Sequence, residues 1–174
     1  MKIMTKKINL KITIEETAER HPVPVLGTDY KVKIIYKNIK VAELDVEDKI
    51  IKISLPNKYK KASNERILDI AIDKMYEQIA KVEVERAMEK TRILLGFAPE
   101  DYEIRKMSEE LGRCEENKII INPEIVKYDR EVIDYIVLHE YCHLKYKSHC
   151  KSFEKMIEKY EPNYKKYERI IANI

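Results

Sequence analysis

His139-Glu140-Tyr141-Cys142-His143 sets two imidazoles four positions apart, with a carboxylate directly after the first. The five residues close an apolar run, Val132 to Leu138, that reads as helix. On a helix, residues four apart differ by about 40° in direction and about 6 Å in height, so both rings can converge on one ion. Glu140 projects toward the same side and can reach a water on that ion without ligating it. Two histidine ligands beside a carboxylate base form the working parts of metal-assisted hydrolysis.

A catalytic zinc site needs a third protein ligand and leaves the fourth position to water. His149 is the candidate. On an unbroken helix it would sit about 240° around from His143 and about 9 Å further along, facing away. If His149 is a ligand, the helix must therefore end near Tyr146, and Lys147-Ser148 must turn the chain back, although no Gly or Pro marks the break. Lys145 and Lys147 suit a helix C-terminus electrostatically. The chain's other histidine, His21, lies between Arg20 and Pro22 and reads as an exposed loop residue.

Composition excludes much else. The 174 residues include only three glycines, Gly27, Gly96 and Gly112, too far apart for a phosphate-cradling loop, a dinucleotide fingerprint or a Gly-x-Ser-x-Gly elbow. Cys114, Cys142 and Cys150 form no Cys-x-x-Cys pair, which removes zinc ribbons and thioredoxin-type redox sites. Cys142 and Cys114 read as buried packing thiols, and so does Cys150 despite its place beside His149. With 34 Lys+Arg against 31 Asp+Glu, the excess of +3 is too small to argue for nucleic acid, and the Lys58-Tyr59-Lys60-Lys61 and Tyr164-Lys165-Lys166-Tyr167 clusters read as solvated faces. Neither a signal-peptide run nor a membrane span is visible, so the cytoplasm is the expected location, and sparse unpaired cysteines suit it.

The elements that must position the histidines follow from periodicity. Ile8, Leu10, Ile12 and Ile14 alternate with polar residues as in a strand. His21-Pro22-Val23-Pro24 reads as a breaker, followed by strands over Tyr30 to Tyr36, near Val41 to Val46, and over Ile50 to Leu55. Together these predict an antiparallel meander with one wet face. From Asn64, a plausible cap, apolar residues recur at helical steps from Leu68 and Ile79 to Leu95, ending at Gly96. Two short strands, Tyr102 to Met107 and Lys118 to Asn122, are joined by a polar turn through Gly112. Asp129 then caps a helix running to about Tyr146, and helices resume over Cys150 to Tyr160 and from Asn163 onward. The expected fold is α+β: N-terminal antiparallel strands, a long helix, a short strand pair, the His-Glu-x-x-His helix and C-terminal helices. It is read as one domain, 1–174, mainly β over 1–56, with the long helix at 64–95 and the metal-binding part at 102–174.

The stretch from Val132 to Phe153 resembles the metal-binding segment of the YgjP-type metal-dependent hydrolases, relatives of the SprT-like metallopeptidases. That family places a third His after five further residues and a Phe four beyond it, matched here by His139, Glu140, His143, His149 and Phe153. The resemblance continues through Pro162, Tyr164 and Arg169, and upstream through Leu26-Gly27 and the long helix. Where the family usually has Trp-Gly-Ser-Cys, this chain reads Leu111-Gly112-Arg113-Cys114, and the later Asn-Trp pair reads Asn122-Pro123.

The resemblance implies a zinc-dependent hydrolase of peptide bonds with one catalytic Zn2+. His139, His143 and His149 would hold the metal, and Glu140 would take a proton from the metal-bound water as it attacks. A second oxyanion donor is expected, with Tyr128, Tyr141 and Tyr146 the nearest candidates in sequence. The implied partner is a peptide or protein substrate. The alternative is a non-catalytic or accessory zinc-binding module in a DNA-repair or restriction-type assembly, which would bring nucleic acid close. Glu140 separates the two, because a structural site has no use for a carboxylate beside its ligands.

Overall fold

The computed structural model describes residues 22–61 and 64–172, with the backbone alone at position 64. The strand expected at Ile8 to Ile14, the loop reading of His21 and the side-chain cap at Asn64 lie outside what is described. Among the described residues, seven strands and four α-helices follow in the order β1 (Val23–Val25), β2 (Thr28–Lys37), β3 (Glu43–Glu47), β4 (Ile50–Pro56), α1 (Asn64–Leu95), β5 (Asp101–Ile104), β6 (Gly112–Glu115), β7 (Lys118–Ile121), α2 (Arg130–Lys145), α3 (Lys151–Tyr160) and α4 (Tyr164–Ala172). The α+β class expected from periodicity is the class observed.

The N-terminal sheet is not a meander. Its order is β1-β2-β4-β3, and β2 runs parallel to β4 from Lys31↔Ile50 to Lys37↔Pro56. The chain leaves β2, forms β3 at the outer edge, then returns as β4 between the two. Burial explains the choice: β4 reads Ile-Ile-Lys-Ile-Ser-Leu-Pro and is largely buried, whereas every residue of β3 is exposed. The apolar strand takes the interior place and the charged one takes the edge. The turn joining them, Asp48-Lys49, has both residues at positive φ, as a two-residue hairpin requires.

The expected breaker at Pro22 to Pro24 is in part a strand, since Val23–Val25 pairs antiparallel with Thr28 to Tyr30. Proline is tolerated there because β1 is an edge. Leu26 and Gly27, at φ 48° and 72°, make the tight turn, and the backbone N–H of Leu26 donates to the Val126 carbonyl at 2.7 Å. The Tyr76 hydroxyl donates to the Pro24 carbonyl at 2.8 Å, so the small sheet is fastened both to α1 and to the 3-10 segment Pro123–Lys127.

Helix α1 spans 32 residues and buries Leu68, Met75, Ala80, Val84, Ala87 and Met88 along one stripe. Gly96 closes it at φ 73°, its N–H donating to the Arg92 carbonyl at 2.9 Å. Helix α2 packs across α1 with Val132, Ile133, Ile136 and Val137 inside. An ion-pair chain locks the crossing: Arg130 reaches buried Glu83 at 2.7 Å, Arg86 reaches Glu83 at 3.0 Å and Asp134 at 2.7 Å. Arg130 holds the Glu83 carboxyl below the usual range, with Arg86 assisting against the opposing effect of burial.

The second sheet, of order β5-β7-β6, contains a strand not expected from sequence: Gly112–Glu115 pairs antiparallel with Lys118–Ile121. Strand β7 is the buried centre, and its Ile119 and Ile121 join the core against α2. Asp129 stands at the N-cap of α2, as read from sequence, yet its side chain makes no capping bond. That carboxylate instead lies over Gly27, where a Cβ would fall 1.5 Å from its Oδ1.

Candidate metal centre

Helix α2 delivers His139, Glu140 and His143 from its last two turns, and then stops. Tyr146 leaves the helix in extended conformation at φ −127°, ψ 104°, its N–H closing the last turn on the Cys142 carbonyl at 3.0 Å. Lys147 and Ser148 bend the chain, and α3 starts at Lys151 with Cys150 in the N-cap position. The break falls where His149 needed it, without glycine. Two contacts hold the bend: the His143 Nδ1–H donates to the Tyr146 carbonyl at 2.9 Å, and Lys147 Nζ donates to the Glu116 carbonyl at 2.6 Å.

The bend brings three imidazoles to one point. His149 Nε2 stands 3.0 Å from His139 Nε2 and 3.1 Å from His143 Nε2. Phe153, buried on α3, backs all three rings at centroid distances of 5.0, 4.6 and 4.7 Å. A carbonyl can only accept, so the His143 proton sits on Nδ1 and its Nε2 lone pair points into the cluster. Tyr135, one turn before His139, orders that ring in the same way. Its hydroxyl lies 3.4 Å from His139 Nδ1 and donates to Glu168 Oε1 on α4, also at 3.4 Å, which leaves it to accept the Nδ1 proton.

These residues fit a divalent ion. Three tetrahedral nitrogens at about 2.0–2.1 Å from zinc stand about 3.3–3.4 Å apart, close to the spacing found. Imidazole must be neutral to ligate, and burial pushes the His139 pKa down to about 3, helped by the facing His143 and His149; burial also lowers His143. Among the described residues, these three histidines are the group of donors able to hold a metal ion. Cys142 is fully buried in the core and takes no part, in keeping with its packing role. Cys114 is half-buried, while Cys150 is exposed, contrary to its expected packing role.

Glu140 is 6% exposed and shares with His139 the wall of a cavity of about 760 Å³. Leu111, Gly112, Tyr128, Ile136 and Glu168 also line it. Burial raises the Glu140 carboxyl to about 8, with a smaller push from Glu110. Of the tyrosines considered as oxyanion donors, Tyr141 is turned into the core, donating to the Met88 carbonyl at 3.1 Å. Tyr146 contributes its carbonyl to His143, and Tyr128 remains on the cavity wall. Sequence reading missed Tyr135, although its place four residues before His139 puts it on the same helical face.

The family described as YgjP-like, metallopeptidase domain, matches residues 2–173. No curated protein matches the chain. Among solved structures, the metallopeptidase zymogen of Pyrococcus abyssi abylysin is similar at 27% identity over 52% of this chain and 94% of that chain, with a TM-score of 0.47. The metallopeptidase zymogen of Methanocaldococcus jannaschii jannalysin is similar at 23% identity over 52% of this chain and 88% of that chain, also with a TM-score of 0.47. Matched along nearly its whole length, the chain belongs to the YgjP-like family as a metallopeptidase domain, a hydrolase of the metal-dependent kind.

Proposed function

We propose that the chain is a zinc-dependent peptidase in which His139, His143 and His149 hold the ion and Glu140 is the general base. One observation carries the reading: His149 Nε2 lies 3.0 Å from His139 Nε2 and 3.1 Å from His143 Nε2, and His139 shares a cavity wall with the buried Glu140 carboxylate. Held by His139, His143 and His149, zinc would supply Lewis acidity toward a carbonyl and a bound water with a pKa near about 7. Glu140 takes a proton from the attacking water on a carboxylate oxygen and passes it to the departing amine nitrogen. Tyr135 and the Tyr146 carbonyl keep the His139 and His143 rings in the tautomer that offers Nε2.

Zinc is favoured by the donor set, because three neutral imidazoles with one position left for water are the ligands of catalytic zinc. The same set weighs against the accessory-module reading, since a structural site fills its fourth position with protein, and the described cluster holds three donors. The substrate is proposed to be a peptide or unfolded protein segment entering the cavity beside Glu140. Residues 1–174 are proposed to act as one metallohydrolase unit, with 102–174 carrying the site and 1–56 and 64–95 supporting it. No helix among the described residues is long and apolar enough to cross a membrane.

The test is metal dependence. Protein purified with about one zinc per chain should hydrolyse unfolded casein, lose that activity on chelation and regain it with one equivalent of zinc. Undiminished hydrolysis after complete removal of the metal would contradict the proposal.

A further inference from the structure

Gly112 opens β6 and lies against the side chain of Glu140. A Cβ at this position would stand 2.7 Å from Oε1, 2.8 Å from Cγ and 3.0 Å from Cδ of Glu140. Carbon atoms in ordinary contact keep about 3.5–4.0 Å apart, so any other residue would have to move something. Backbone conformation does not explain the glycine: the positive-φ glycines are Gly27 and Gly96, and Gly112 is a strand residue paired with Ile121. Glycine inside a strand gives up side-chain packing and entropy. What it gains here is room for the carboxylate.

Neither backbone at the contact can withdraw cheaply. The start of β6 is pinned by Asn122, whose N–H donates to the Leu111 carbonyl at 2.9 Å and whose Nδ2 donates to the Met107 and Glu110 carbonyls, each at 2.9 Å. Glu140 stands on α2 between Leu138 and Tyr141, both buried in the core. With strand and helix fixed, an added methyl group acts on the Glu140 side-chain torsions.

We infer that Gly112 is a positioning residue for Glu140: its missing Cβ is the niche that sets where the carboxylate lies relative to the three imidazoles. The catalytic consequence rests on the reading of Glu140 as the base. The niche itself is open to a test that needs no substrate.

Four zinc-loaded proteins decide it: wild type, Gly112→Ala, Glu140→Ala and the double variant. In the wild-type background Gly112→Ala should lower Tm by about 3–8 °C, as overpacking does in a domain of this size. In the Glu140→Ala background the same change should be neutral or raise Tm, because the atoms that the methyl would meet are gone. The two sites are thus coupled in a double-mutant cycle. On unfolded casein, Gly112→Ala should lower kcat about 10- to 100-fold, with KM within about twofold and one zinc per chain retained, as expected of a misplaced catalytic group. Equal Tm losses in both backgrounds would overturn the inference, and so would an unchanged kcat. If Gly112→Ala prevents folding in both backgrounds, the cost lies in the strand itself and the inference falls. A wild type inactive on casein would contradict the proposed peptidase activity on unfolded protein, while the Tm cycle would still decide whether Gly112 makes room for Glu140.

Discussion

The His139 and His143 rings are oriented from behind as well as from the front. The His143 Nδ1–H is held by a backbone carbonyl, which no side-chain substitution removes. His139 depends on the Tyr135 hydroxyl, which in turn leans on Glu168. Tyr135 is buried and stacked on Tyr167 at 5.4 Å, so its ring stays in place when the oxygen alone is deleted. Tyr135→Phe should therefore leave the fold intact and weaken zinc binding about 10-fold, the usual cost of losing a partner that orients a ligand. Competition against a chromogenic chelator measures this, and an unchanged Kd would show that packing alone orients His139. At this scale the sequence was informative where geometry is local. His139 and His143 share a face because helical periodicity fixes their directions, and Glu140 comes with them. His149 was a candidate only on condition of a helix break, and that break rests on contacts made by Tyr146 and Lys147 rather than on a breaker residue.

The elements divide into those that carry the site and those that hold its carriers. Helix α2 is set against α1 by the buried Glu83, which bonds Arg130 through two nitrogens and Arg86 through one. Removing one partner of a buried pair leaves charge uncompensated, at a cost of about 3–5 kcal/mol. Arg130 is more than half exposed, which screens its share, so Glu83→Gln should cost about 2 kcal/mol at pH 7. The Glu83 pKa is depressed in the folded state, so its contribution is present above the unfolded carboxylate value of about 4.3 and is lost as pH falls through the folded value. Urea unfolding at pH 7 and at pH 3 should show the gap between wild type and Glu83→Gln shrinking at the lower pH. Equal gaps at both would rule out this origin. Among the elements, long periodic segments were legible: α1, α2, α3 and α4 fall where the apolar stripes put them. Strand β6 was not, because Gly112-Arg113-Cys114-Glu115 carries no apolar alternation and is held by pairing with β7. The parallel pairing of β2 with β4 escaped for a related reason. Strand periodicity shows which face is buried, whereas the choice of neighbour depends on how apolar β4 is relative to β3.

Across the whole molecule, the two sheets and α1 converge on one task, to fix the last two turns of α2 and the bend after it. Strand β7 lies in the core behind the helix, β6 closes against Glu140, and α3 returns Phe153 beneath the three imidazoles. What decides the mechanism is whether the residue beside the ligands does chemistry or merely occupies space. Glu140→Gln keeps the side chain's shape and removes its capacity to accept a proton. The direct measurement is hydrolysis of unfolded casein by zinc-loaded Glu140→Gln and wild type, with metal content determined on the same samples. The variant should keep about one zinc per chain and lose activity by a factor of about 10² or more, the scale of a lost general base. A variant that holds its zinc and hydrolyses as fast as wild type would contradict the proposed role of Glu140.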